Sequence, residues 1–332
     1  MIHSFIKLKT ESKKLQFGAE KCKKLHVGKL CEEFKCQELY IDNWKEVLIE
    51  NTDDGKVGIE DCLVGEEVME EKSEEKYLGD VISNDGRNLK NIKVRVAKGK
   101  GIVNNIMTYL EGIPFGKIYF QIAVILRNSL LVSSMLFNSE AWYNVTNAEL
   151  ELLETVDLLL LRRILKAPDS TPKEMLYLEL GCMPFREMIR QRRLSYLFYI
   201  LHENPESIIY KVFETQMKYR TSKDWATTIL ADLEELKLNV TIAEIKSIRR
   251  GTYMNMIRKS IRENTFEKLN MKQSSHSKVN KWKHTMFKMQ NYLMPNRAMM
   301  TQDDCQLIFK LRCRVTKIKT NLNGLFDTMW GI

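Results

Sequence analysis

The feature that most constrains the fold is a change of apolar period near Arg87. Residues 15–82 alternate apolar and polar side chains between turn signals such as NTDDGK, residues 51–56, a pattern typical of short β-strands. The turn Ser83-Asn84-Asp85-Gly86 ends the last predicted strand. Beyond Arg87 apolar residues recur every three or four positions, as in amphipathic helices. The predicted fold class is therefore mainly α with a small β-rich N-terminal part (α+β).

Apolar stripes and end signals predict the helices that follow. The first carries the stripe Ile92, Val96, Val103 and Met107, although Gly99 and Gly101 weaken its middle. Thr146 and Glu149 form a capping box at the start of the third helix, whose apolar face contains Leu153, Val156, Leu160 and Ile164. The other predicted helices run from Phe115 to Asn138, from Thr171 to Gly181 and from Pro184 to about His202.

Composition narrows the class of protein further. The 332 residues are 44% apolar and 29% charged, which is typical of a globular protein of two or three domains. The net charge of +9 favours a polyanionic partner, although many basic proteins bind none.

No C-x-x-C motif occurs among the seven cysteines, which favours free thiols in a reducing compartment. We see no signal peptide and no membrane-spanning segment, and we expect an intracellular protein, nuclear or cytoplasmic.

Several segments in a fixed order resemble the C-terminal part of the reverse transcriptase of non-LTR (LINE-type) retrotransposons. Leu15, Lys21 and Cys22 match the end of that family's palm, L-x-x-N-x-x-K-C/T, with Gly18 in place of the asparagine. A second match is the Y-L-G strand that follows in the family, here Tyr77, Leu78 and Gly79. Later helical blocks of the family resemble residues 139–165, 176–201 and 307–321.

The resemblance implies a division of the chain and roles for some residues. Lys21 would protonate departing pyrophosphate, and the hairpin with Tyr77 and Gly79 would hold the primer terminus. The residues themselves favour a solvated strand lysine for Lys21, and for Tyr77 they equally suggest a core aromatic side chain. The implied regions are a palm-end remnant (1–86), a thumb-like helical region (87–170), a C-terminal helical region (171–270), and a linker with a terminal helical segment before a missing zinc knuckle (271–332). Residues 271–278, MKQSSHSK, are the predicted linker.

A basic run follows the turn, and no acidic residue interrupts it. It consists of Arg87, Lys90, Lys93, Arg95, Lys98 and Lys100. Neutralising phosphates with such a run releases counterions and strengthens binding, whereas the simpler interpretation is a solvated helix face. With the family resemblance we expect weak, sequence-tolerant binding to RNA or an RNA–DNA duplex. A second run, Arg190, Arg192 and Arg193, either adds a basic patch or pairs with Glu187 and Glu203.

Catalysis in the family requires carboxylates that hold two Mg²⁺ ions, from an early palm strand and an aromatic-x-Asp-Asp turn. Both lie upstream of the segment that matches Lys21, so we predict no cofactor and no polymerase activity for this chain alone. Asp53-Asp54 and Asp303-Asp304 follow that segment and lack the aromatic residue, and the second pair is predicted to cap a helix. The predicted function is that of a reverse-transcriptase fragment that binds nucleic acid. The alternatives are part of a complete RNA-directed DNA polymerase and a helical interaction module.

Overall fold

A computed structural model of the chain describes residues 38–39, 46–47, 63–64, 67–68, 74–77, 79–113, 118–221, 224–276, 284–294 and 301–313. The chain divides into two compact units, Met1–Asn91 and Ile92–Ile332. Lys21 and the Asp53-Asp54 pair lie outside the described residues.

The first unit contains short antiparallel strands that pair two by two, in agreement with the predicted β-rich part. The pairs are β1 (Glu38–Leu39) with β2 (Glu46–Val47), β3 (Leu63–Val64) with β4 (Glu67–Val68), and β5 (Glu74–Tyr77) with β6 (Asp80–Ser83). The strand pattern of residues 75–83 is thus divided between β5 and β6. Gly79 lies between them with φ +95°, a conformation that glycine adopts at little cost.

The turn after β6 connects the hairpin to the first helix. Gly86 donates its N–H to the carbonyl of Ser83 at 3.0 Å, so the predicted Asp-Gly turn is confirmed. The Asp85 carboxylate accepts from the Ser83 hydroxyl at 2.5 Å and from the Arg87 N–H at 2.9 Å. Next to it, the Asn91 side-chain amide donates to Asp80 at 2.8 Å, and both residues are buried. The hairpin and the start of the helix are therefore joined by polar contacts.

Helices make up most of the second unit, which confirms the mainly α class. Helix α1 (Leu89–Glu111) begins in the first unit, and α2 (Tyr119–Leu126) continues through a π-helical segment (Arg127–Val132) into a final turn (Ser133–Met135). The further helices are α3 (Asn147–Leu165), α4 (Lys173–Leu180), α5 (Phe185–Leu201), α6 (Ile208–Lys218), α7 (Trp225–Glu235), α8 (Ile242–Ser247), α9 (Arg250–Ser275) and α10 (Gln302–Arg312).

Helix ends follow the predicted signals closely. The Thr146–Glu149 capping box is present at the start of α3. Gly181 ends α4 with φ +63°, and a Cβ there would lie 2.4 Å from the Lys288 backbone. The predicted linker is wrong up to residue 275, because α9 continues to Ser275 and buries Gln273.

Two apolar clusters form the core of this unit. The first gathers side chains of α1 to α4, including the predicted faces of α1 and α3, and the second joins α5, α7 and α9. Gly99 of α1 faces the first cluster, where an added Cβ would lie 2.5 Å from Met135 Sδ and 2.9 Å from Val156 Cγ1. The glycine therefore allows close packing of α1, a role that helix propensity alone does not predict.

Candidate nucleic-acid interface

Helix α1 carries exposed lysines on both flanks of its buried stripe. Ile92 and Val103 are fully buried in the first cluster, whereas Lys93, Lys98 and Lys100 are exposed. Lys93 and Lys100 are seven residues apart, about two helical turns, so they lie on the same side of the helix. The apolar stripe thus fixes the helix and leaves these three ammonium groups in solvent.

Arg95 corrects the predicted run, because it points into the core. It is 5% exposed, and its Nη1 donates to the carbonyls of Ser134 at 2.9 Å and Met135 at 3.4 Å. The guanidinium also lies over the Trp142 ring, 5.2 Å from its centroid. Position 95 falls on the side of Ile92 three residues earlier, so helical geometry turns it inward. Its charge stabilises the carbonyl end of α2 rather than a phosphate.

Two members of the predicted run, Arg87 and Lys90, belong to the first unit and differ in their surroundings. The Nζ of Lys90 lies 2.9 Å from Glu74 Oε2 of β5. The hydrogen bond to Glu74 raises the pKa of Lys90, and the carboxylate offsets its charge. Arg87 is exposed, and its backbone N–H is bound by Asp85. The guanidinium of Arg87 is therefore the more available cation of the two.

Tyr77 and Gly79 lie on the exposed part of the β5–β6 hairpin. Tyr77 is 64% exposed, which excludes the core position considered for it. Gly79 is exposed, and an added Cβ would have nothing within 4 Å among the described residues. A primer contact for these residues stays a prediction.

Arg163 of α3 extends the lysine surface, and no sequence pattern indicated it. It is exposed, and its Nη1 donates to Asn104 Oδ1 of α1 at 2.6 Å. Asn104 is one helical turn beyond Lys100, so the guanidinium lies beside the lysine surface. The two partners are 59 residues apart in sequence, and only the packing of α3 on α1 brings them together. We call Lys93, Lys98, Lys100 and Arg163 the α1 basic face, a surface that wraps around the exposed part of the helix because Lys98 lies about 140–160° around the axis from Lys93 and Lys100.

The second arginine run is structural, which favours the pairing alternative over a second basic patch. Arg190 and Arg193 are 4% and 8% exposed and share the Asp232 carboxylate of α7, with Nε–O distances of 2.9 and 2.8 Å. Arg190 also binds Glu187, as one alternative predicted, at 2.5 Å. Arg192 donates to the Leu136 carbonyl. A cavity of about 260 Å³ lies beside this network, whose carboxylates already engage Arg190 and Arg193.

The carboxylate pair in the described part of the chain is also engaged. Asp304 forms a capping box with Thr301 at the start of α10, which confirms the predicted cap. Asp303 pairs with Lys166 at 3.0 Å. Within the described ranges, no group of three or more His, Cys, Asp and Glu side chains is arranged to hold a metal ion. Three cysteines there, Cys182, Cys305 and Cys313, are buried free thiols.

No protein-family model, curated protein or solved structure matches this chain. Among the described residues, none of the helices combines the length and apolar character required to cross a bilayer.

Proposed function

We propose that this chain binds the phosphate backbone of RNA or an RNA–DNA duplex through the α1 basic face. The observation that supports it most directly is the exposure of Lys93, Lys98 and Lys100 in a run without any acidic residue. Each phosphate that these cations neutralise releases condensed counterions, which favours binding. This is the role that the resemblance to a LINE-type thumb implies for the helix.

The packing of α1 supports this role because it holds the cations on a fixed helix. Arg95 and the apolar stripe anchor the helix on one side, so binding requires ordering of lysine side chains but not of the backbone. Contacts to phosphate carry no base information, so we expect weak binding with little sequence preference.

The proposal assigns no polymerase activity to the chain by itself. Neither Asp-Asp pair of the sequence has an aromatic residue two positions before it. Asp303 and Asp304, moreover, are bound to Lys166 and Thr301. A helical interaction module without a nucleic-acid role is the rival function that the binding experiment addresses.

The test compares two triple variants of the intact chain that remove the same charge. Lys93, Lys98 and Lys100 are changed to Gln in one, and the exposed Lys211, Lys218 and Lys237 in the other. Fluorescence anisotropy with a labelled RNA–DNA duplex gives the affinity across a salt series. In the first variant the slope of log affinity against log salt should fall by about 0.9 for each phosphate that the chain no longer neutralises.

The control variant should change the slope much less, and circular dichroism should show the same helix content in both. If the two variants have equal small effects, or the parent chain shows no salt-dependent binding, the interaction-module function becomes the better proposal.

A further inference from the structure

A second basic surface lies at the start of α9, outside the site described above. Residues 246–262 contain six basic residues and no acidic one. All six are exposed: Lys246, Arg249, Arg250, Arg258, Lys259 and Arg262. The stretch is therefore longer than the basic run of α1 and, unlike that run, has no member in the core.

Unlike the buried arginines of the unit, three of these arginines have no acceptor among the described residues. Arg127, Arg190, Arg193 and Arg312 are each bound to a carboxylate, as the arginines of a folded core require. Arg249, Arg250 and Arg258 make no hydrogen bond or ion pair through their side chains with any residue that the structure describes. We call these three the α9 basic face.

The remaining basic residues of the stretch have contacts of their own. Lys246 lies over the Tyr210 ring at 5.4 Å from its centroid, and Lys259 lies 4.0 Å from Glu263. Arg262 donates to the Phe287 carbonyl and lies over its ring. Among the described residues, the α9 basic face is therefore the part of the stretch 246–262 whose positive charge has no partner.

Helix geometry spreads the α9 basic face along the helix. Tyr253, Ile257 and Ile261 are fully buried at four-residue spacing and fix one side of α9. Arg249 and Arg250 lie at its start, and Arg258 lies about 12 Å further along its axis. Asn255 is exposed between them, one turn before Arg258. An elongated polyanion can therefore contact both ends of this surface at once.

We propose that the α9 basic face binds the phosphates of a double-stranded nucleic acid, as a surface separate from the α1 basic face. The planar guanidinium presents two parallel N–H donors to phosphate oxygens, which suits it to this partner. No aromatic or large aliphatic side chain between residues 246 and 262 is prominently exposed. Such side chains stack on the bases of single strands and insert into membrane surfaces, so their absence here favours a duplex.

The first test removes the charge of the face. Arg249, Arg250 and Arg258 are changed together to Gln in the intact chain, and binding to a mixed-sequence duplex is measured by anisotropy across a salt series. The salt slope should fall by about 2 to 3, and the affinity at low salt should weaken by about tenfold or more, for all sequences alike. The change of Lys211, Lys218 and Lys237 to Gln is the charge-matched control. Equal effects of the two variants would overturn the inference.

A second test adds a charge without changing size. Asn255→Asp places a carboxylate one helical turn before Arg258 at an exposed position, and Asn239→Asp makes the same change at an exposed position outside any helix. The first should weaken duplex binding several-fold, while the second leaves it unchanged. Anionic-lipid vesicles serve as the competing partner. If the α9 arginine variant loses vesicle binding but keeps duplex binding, the proposed partner is wrong.

The two basic faces are distinguished by their own variants. Loss of duplex binding in the α9 variant, with none in the α1 variant, would overturn the proposed function and support this inference. The reverse result would support the proposed function and overturn this inference.

Discussion

Arg127 and Asp157 form a two-pronged ion pair in the core, with Nε–Oδ1 at 2.7 Å and Nη2–Oδ2 at 2.6 Å. Both side chains are about 1% exposed or less. The Met183 carbonyl accepts a further bond from Nη2 at 2.8 Å, and the Tyr177 hydroxyl donates to Asp157 at 3.2 Å. The pair therefore joins α2, α3, α4 and the segment before α5 through one set of polar contacts.

Removal of one partner of this pair should be costly. Asp157→Ala leaves an uncompensated guanidinium in the core and should lower the free energy of unfolding by about 3–5 kcal/mol, measured by urea titration. Asp303→Ala breaks the exposed pair with Lys166 and should cost less than about 1 kcal/mol. Equal effects of the two substitutions would show that the buried pair contributes no more than a surface pair.

Glu179 should make stability depend on acid pH. Burial disfavours its charged form, but hydrogen bonds from His284 and Arg312 outweigh this and hold the pKa of Glu179 below its usual value. A carboxyl group whose pKa is lower in the folded than in the unfolded state stabilises the folded protein at pH values above its unfolded pKa, about 4.3. This contribution disappears as the pH falls through the pKa of the folded state. The stability difference between the parent and Glu179→Gln should therefore be largest near neutral pH and shrink below about pH 4. A difference that stays constant down to about pH 3 in urea titrations would contradict this.

Gly99 and Gly101 should respond to alanine with opposite signs. Both substitutions gain helix propensity, about 1 kcal/mol. At Gly101 an added Cβ meets nothing within 4 Å among the described residues, so Gly101→Ala should raise the free energy of unfolding. At Gly99 the new methyl would overlap Met135 and Val156, and overpacking of about 1–3 kcal/mol should make Gly99→Ala destabilising. Thermal and urea unfolding of the two variants measure these changes in stability. If both substitutions stabilised the protein, α1 would be able to move away from Met135 and Val156 at little cost.

Arg95 should affect stability rather than nucleic-acid binding. Arg95→Gln removes the bonds to the Ser134 and Met135 carbonyls and should lower the free energy of unfolding by about 1–3 kcal/mol. The salt slope for duplex binding should stay at the parent value under conditions where both chains are folded. Lys93→Gln, on the exposed side of the same helix, should show the opposite pattern. A reduced salt slope in the Arg95 variant would support the phosphate contact predicted for Arg95 from the sequence.

Local signals in the sequence predicted the helix ends well because they act over three or four residues. The Thr146–Glu149 box and Gly181 are examples, since each completes hydrogen bonds within its own turn. The polar composition of residues 271–275 led to the wrong prediction of a linker, because the helix continues there and buries Gln273 against His284.

The candidate site was only partly predictable, because burial of a charge depends on distant partners. The inward position of Arg95 follows from helical period, which the charge pattern alone conceals. The roles of Arg190 and Arg193 depend on Asp232, which is about 40 residues away in sequence and becomes their neighbour only after α7 packs on α5. Arg163 likewise joins the α1 basic face through tertiary contact alone.

The π-helical segment Arg127–Val132 affects where related chains can vary in length. A π-helical turn accommodates one residue more than an α-helical turn, so a single deletion there converts it to regular α-helix and keeps the flanking turns in phase. The same deletion within the α-helical part Tyr119–Leu126 would instead rotate the residues before it by about 100° around the helix axis relative to Arg127. A one-residue deletion that keeps Arg127 on Asp157 is therefore expected to be tolerated in the π-helical segment and not in the α-helical part.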